Sequence, residues 1–165
     1  MRFPYDNPAM PTPAPALVAA WFALGTLPTE RVPMWAAQWL AAGLDGPSLR
    51  VLAGLSGSDP HDVRDLLPDV LGEVGAPVPA VNVATATVAY DNLARLCLDG
   101  LASERWVTQK VEELYVNSGY DNDLLEPPLG AVYGLEDEWE GGWGRTPDQL
   151  AANVRSACAA QLGRA

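Results

Sequence analysis

Residues 43–75 constrain this chain more than any other stretch. Val63, Leu66, Leu67, Val70, Leu71 and Val74 recur at three- and four-residue intervals, which places them on one face of a helix. Asp62, Asp65, Asp69 and Glu73 fall on the opposite face. Asp59 before Pro60 reads as a capped helix start, and Pro47 opens a shorter helix that ends near Ser56 and Gly57. The pair therefore reads as a helical hairpin with a polar turn. Pro68 falls inside the second helix and removes one backbone hydrogen bond, so a bend or split is expected there.

The flanking sequence extends the same reading. Pro4, Pro8, Pro11, Pro13 and Pro15 remove amide donors and disfavour helix before each ring. Residues 1–15 are thus expected to form an extended arm, with Phe3 and Tyr5 as the side chains that could pin it. Residues 16–165 are expected to form a single helical domain. Its first helix should run from about Pro15 to Gly25, and Thr29 should cap a second that carries Trp35 and Trp39 on one face, a stripe that reads as core. Asn82 should cap a helix reaching Gly100, and Ser103 another, stopped at Asn117, Ser118 and Gly119. Tyr120 to Glu126 reads as loop, and Pro127-Pro128 as the start of a helix with Leu129, Val132, Tyr133 and Trp139 as its apolar face. Thr146 with Gln149 makes a capping box for the last helix, with Pro147 at its first position. Strand-like alternation is confined to a short run at Val78–Val83. The expectation is all-α: one bundle of seven or eight short helices, with Trp21, Trp35, Leu52, Leu66, Leu67, Leu93 and Leu114 in its core.

Charge narrows the function classes. The net charge is −11, yet up to Ser58 Arg2, Arg31 and Arg50 cancel Asp6, Glu30 and Asp45. Between Glu112 and Glu140 there are nine acidic residues and no Lys or Arg. Phosphate recognition needs a cationic footprint, so this surface should repel nucleic acid and anionic membrane and attract basic proteins. The hairpin has the rhythm of a helix-turn-helix, but its exposed Asp59, Asp62, Asp65 and Asp69 would face the phosphates of a duplex. No apolar run is long enough to span a bilayer. Cys97 and Cys158 lie in apolar helical contexts and read as buried small hydrophobes. A cytoplasmic location is expected.

Three stretches invite a chemical reading. His61 is the single imidazole, flanked by Asp59 and Asp62 and expected in an exposed first turn. The loop 117–126 sets Asp121, Asp123 and Glu126 at oxygen-rich spacing, but its register departs from a calcium-binding EF-hand. Glu136, Asp137, Glu138 and Glu140 surround Trp139. Joined to Glu112, Glu113, Asp121, Asp123 and Glu126, they form a candidate surface for a cationic partner, with Trp139 as its hot spot. The other reading of the 136–140 run is a solvated helix face with Trp139 turned inward.

The pattern in residues 39–55, followed by 62–66, resembles a group of small bacterial helical proteins to which no activity or site residues attach. Residues 99–101 and 135–140 are similar to their second half. In size and charge the chain also resembles immunity proteins that neutralise basic nuclease toxins. The expectation is a non-enzymatic protein-binding module, an immunity or inhibitor protein docking on a basic protein, without catalytic residues, cofactor or metal. The alternatives are a small enzyme or metal-binding protein using Asp121, Asp123 and Glu126, with or without His61, and an accessory subunit of a larger assembly.

Overall fold

The computed structural model describes residues 4–163, which form eight α-helices and no strand. They are α1 (Pro15–Leu24), α2 (Val32–Ala41), α3 (Pro47–Ala53), α4 (Pro60–Glu73), α5 (Val83–Leu98), α6 (Glu104–Asn117), α7 (Leu135–Gly141) and α8 (Pro147–Gln161). Helix α5 is the axis of the bundle: α1, α6 and α8 all pack on it, while α2, α3 and α4 pack in succession on the front side. No helix among the described residues is long and apolar enough to cross a membrane.

Local chemistry sets most of the helix ends. The Asn82 side chain accepts the Thr85 amide at 3.0 Å, and the Ser103 hydroxyl accepts the Trp106 amide at 3.2 Å. Thr146 and Gln149 bond reciprocally, so the capping box is complete. Asp59 takes the His61 amide at 2.8 Å. Thr29 makes no cap; residues Thr29–Arg31 instead form a 3₁₀ turn that leads into α2. Helix α3 stops at Ala53, short of the expected Ser56. Its amino end is closed from a distance by the Glu73 carboxylate, which accepts the Ser48 and Leu49 amides at 3.0 and 3.1 Å.

Helix α4 runs through Pro68 without splitting. Both Pro68 and Arg64, whose carbonyl loses its partner, lie on the exposed side, so water can take that bond. Meanwhile Val63, Leu67, Val70 and Leu71 are fully buried and hold both halves on the core. Leu66 is only partly buried and packs at the margin of that core. Trp21, Trp35, Leu52, Leu67, Leu93 and Leu114 are buried as expected.

The greatest departure lies at residues 120–141. The loop contains a 3₁₀ turn at Asn122–Leu125, and the single helix expected from Pro127 is two pieces, a 3₁₀ turn at Pro128–Val132 and α7. Gly134, at φ +87°, takes the left-handed conformation that divides them. Leu124 anchors the segment: its side chain is buried and its carbonyl accepts the Tyr90 hydroxyl at 2.8 Å. Cys97 and Cys158 are free thiols, buried between α5 and α8. The hydrogen bond that they share, together with burial, pushes the Cys158 thiol up.

The arm folds back onto the bundle. The Tyr5 ring meets Trp21, Trp35 and Trp106 edge-on at centroid distances of 5.3, 6.0 and 5.6 Å. The Trp39 indole donates to the Pro13 carbonyl at 2.9 Å. Phe3, the other expected pin, lies outside the described residues.

Candidate binding surface

The carboxylates between Glu112 and Glu140 come from three elements: α6, the 3₁₀ turn at Asn122–Leu125 with its flanking residues, and α7. Helix α6 ends where Gly119, at φ +76°, turns the chain, and Tyr120 follows at φ +64°. A bulky residue in the left-handed region is uncommon, and Tyr120 is the only non-glycine there among the described residues. Ser118 braces the turn, donating to the Tyr115 carbonyl at 2.6 Å and accepting the Asp121 amide at 3.1 Å. Asp121 in turn accepts the Asp123 amide at 3.1 Å and so caps the 3₁₀ turn.

This turn builds a cluster of three tyrosines. Tyr115 is buried, and its hydroxyl donates to Asn122 at 2.7 Å. Tyr120 stands edge-on to it at 5.5 Å, and Tyr133 meets it at 4.5 Å. Tyr120 is 61% exposed and Tyr133 40%. Desolvation, then Tyr115, Glu112, Tyr120 and Asp137, push the Tyr133 hydroxyl above its ordinary value. Tyr133 therefore sits near Glu112 and Asp137, and Tyr120 directly precedes Asp121.

Those carboxylates fall into two groups. Glu136 is buried, and Arg105 binds it from α6 with three contacts of 2.6–3.1 Å, while Gln109 adds one at 3.1 Å. Burial pushes Glu136 up, but these hydrogen bonds and the Arg105 charge outweigh it and hold the carboxyl below its usual range. Glu138 takes a bidentate grip from Arg145 at 2.5 and 3.0 Å, plus the Arg145 amide at 3.1 Å. Lys110 pairs with Glu113 at 2.7 Å. Arg105 also lies 3.9 Å from Glu140. The second group, Glu112, Asp121, Asp123, Glu126 and Asp137, has no cationic partner among the described residues. Glu112 shows the consequence: burial first, then Asp137, Glu136 and Glu140, raise its pKa.

Trp139 packs against the core and is only partly exposed, so the outward-facing aromatic residues between Glu112 and Glu140 are Tyr120 and Tyr133; Trp143, just after α7, is exposed as well. Sequence reasoning placed Tyr133 on an apolar helix face and passed over Tyr120. The signal available was the Asn117-Ser118-Gly119 stop beside an aromatic residue; the meeting with Tyr115 and Tyr133 had no local signature.

The other candidate residues stay apart. His61 is exposed in the first turn of α4, and no side-chain contact joins it to residues 117–126 among the described residues. No group of three or more His, Cys, Asp or Glu side chains gathers as a metal-binding set among the described residues. On the hairpin, Asp62, Asp65 and Asp69 are exposed with Arg64, while Glu73 serves α3. No family model, curated protein or solved structure matches this chain.

Proposed function

We propose that this chain is a non-enzymatic protein-binding module that docks on a basic protein through a face centred on Tyr120 and Tyr133. The supporting observation is the position of these two exposed rings, Tyr133 beside Glu112 and Asp137 and Tyr120 at the head of the turn that carries Asp121, Asp123 and Glu126, carboxylates without cationic partners. Lysine and arginine side chains of a partner would gain ion pairs with the carboxylates and cation–π contact with the rings. Size and charge fit an immunity or inhibitor protein that neutralises a cationic toxin. On this reading Glu136 and Glu138 support the face from within. Glu113 is tied to Lys110, Glu140 is loosely tied to Arg105, and Trp139 anchors α7.

The test is capture of basic proteins from a bacterial lysate by the immobilised chain, from about 50 to about 500 mM salt. Capture should weaken with salt and fall at least roughly tenfold on combining Glu112→Lys, Asp123→Lys and Asp137→Lys, or on Tyr120→Ala. A control reversing Asp62, Asp65 and Asp69 on α4 changes net charge equally and should leave capture largely intact. Equal loss in both triple variants would reduce the effect to net charge and sink the proposal.

A further inference from the structure

A second site, independent of the acidic face, lies beneath the amino-terminal arm. The arm is pinned at both ends. Tyr5 packs into the tryptophan cluster and Asp6 pairs with Arg31 at one end; Trp39 holds the Pro13 carbonyl and Thr12 donates to Gln38 at 2.6 Å at the other. Between these points residues 7–11, together with residues of α1, α2 and α5, line a partly open cavity of about 540 Å³. That volume falls within the range of small-molecule sites, about 300–1,000 Å³. Leu17, Trp21, Trp35 and Leu96 line it from the helices, and Pro8 and Met10 from the arm.

Three features define what would fit. Tyr5, Trp21 and Trp35, the two indoles nearly buried with centroids 5.7 Å apart, back the cavity with aromatic side chains, which favours a flat, apolar guest. Asp6 and Arg31 are the charged lining residues, and they neutralise one another, which favours a neutral guest. Asn92 lines the cavity; its Oδ1, closed off from solvent in this rotamer, is the one buried side-chain oxygen or nitrogen without a hydrogen-bond partner among the described residues. A buried acceptor left unpaired is unfavourable, and a guest with a donor would relieve it. The terminal amide torsion is soft, so Asn92 can turn toward such a donor.

The geometry points to a binding site for a neutral, flat, largely apolar molecule that carries one N–H donor, held between the arm and the helices with its donor on Asn92. Indole has this chemistry, and benzofuran has the same shape with an oxygen in place of the N–H. Titrating each into the full-length chain, followed by calorimetry and by backbone amide shifts, separates the donor from the shape. Indole should bind with a dissociation constant below about 1 mM and shift Tyr5, Met10, Leu17, Asn92 and Leu96. Benzofuran should bind roughly tenfold more weakly, and Asn92→Leu should bring the two to parity. Indole that leaves the cavity amides unmoved, or shifts only residues elsewhere, overturns the proposal. So does benzofuran binding the wild-type chain as tightly as indole, a comparison that stands whether or not the variant folds.

Discussion

Two glycines show how differently one added methyl group can act in the same fold. A Cβ on Gly130 would collide with the Leu125 backbone, which the buried Leu124 holds in place. A Cβ on Gly46 would meet the Glu73 carboxylate, the free end of a flexible side chain, and push it off the α3 amides. Gly72 has open space around it on the exposed side of α4. Urea unfolding should therefore rank the three alanine variants. Gly130→Ala should lose about 2–3 kcal/mol through overpacking. Gly46→Ala should lose about 1 kcal/mol with the cap, and Gly72→Ala should gain about 0.5–1 kcal/mol of helix propensity. Equal effects at Gly130 and Gly46 would contradict the rigid contact with Leu125. None of this was legible from composition, because each glycine's role depends on a neighbour brought in by folding.

Elements divide into those whose ends are chemically local and those whose ends are not. Asn82, Ser103 and Thr146 cap α5, α6 and α8 with side chains that reach only three residues, so sequence located these helices closely. The interval from Pro127 to Gly141 was misjudged as one helix because its apolar spacing continues across Gly134, where the backbone does not. Pro68 is the reverse case: a local breaker overruled by the burial of Val63, Leu67, Val70 and Leu71. It follows that Pro68→Ala, which restores an amide to an exposed position, should stabilise α4 by about 1–3 kcal/mol in thermal or urea unfolding. A loss of stability would mean that the proline shapes the hairpin.

Across the whole molecule, the carboxylates respond to acid in opposite senses. Glu138 is held below the ordinary 4.5 by Arg145, and Glu73 and Glu136 are also held below it, since their hydrogen bonds outweigh burial. A depressed folded value means that the unfolded chain takes up the proton first. Their stabilisation is complete above 4.5 and is lost as pH falls through the folded values. Glu112 is raised by burial and by Asp137, so its unfavourable contribution sets in as pH rises past 4.5. Melting temperature should therefore drop steeply below about pH 4.5, and Glu136→Gln should flatten that drop while lowering stability at neutral pH. Glu112→Gln should raise stability at about pH 7 and have no effect at about pH 3. An acid drop as steep in Glu136→Gln as in the wild type would remove the Arg105 pair from this account.

Periodicity, capping and composition act over a few residues, so the helical class, most helix ends and the predominance of acid after Ser58 were legible in the chain before folding. Tertiary structure alone decided which of those acids are available. The interval from Glu112 to Glu140 contains no cation, yet Arg105, 31 residues from Glu136, returns to it across α6 and α7, and Arg145 closes on Glu138. The grouping of Tyr115, Tyr120 and Tyr133, and the cavity between the arm and the helices, arise in the same way. Contacts between elements depend on how buried faces pack, and that information is distributed over the whole chain.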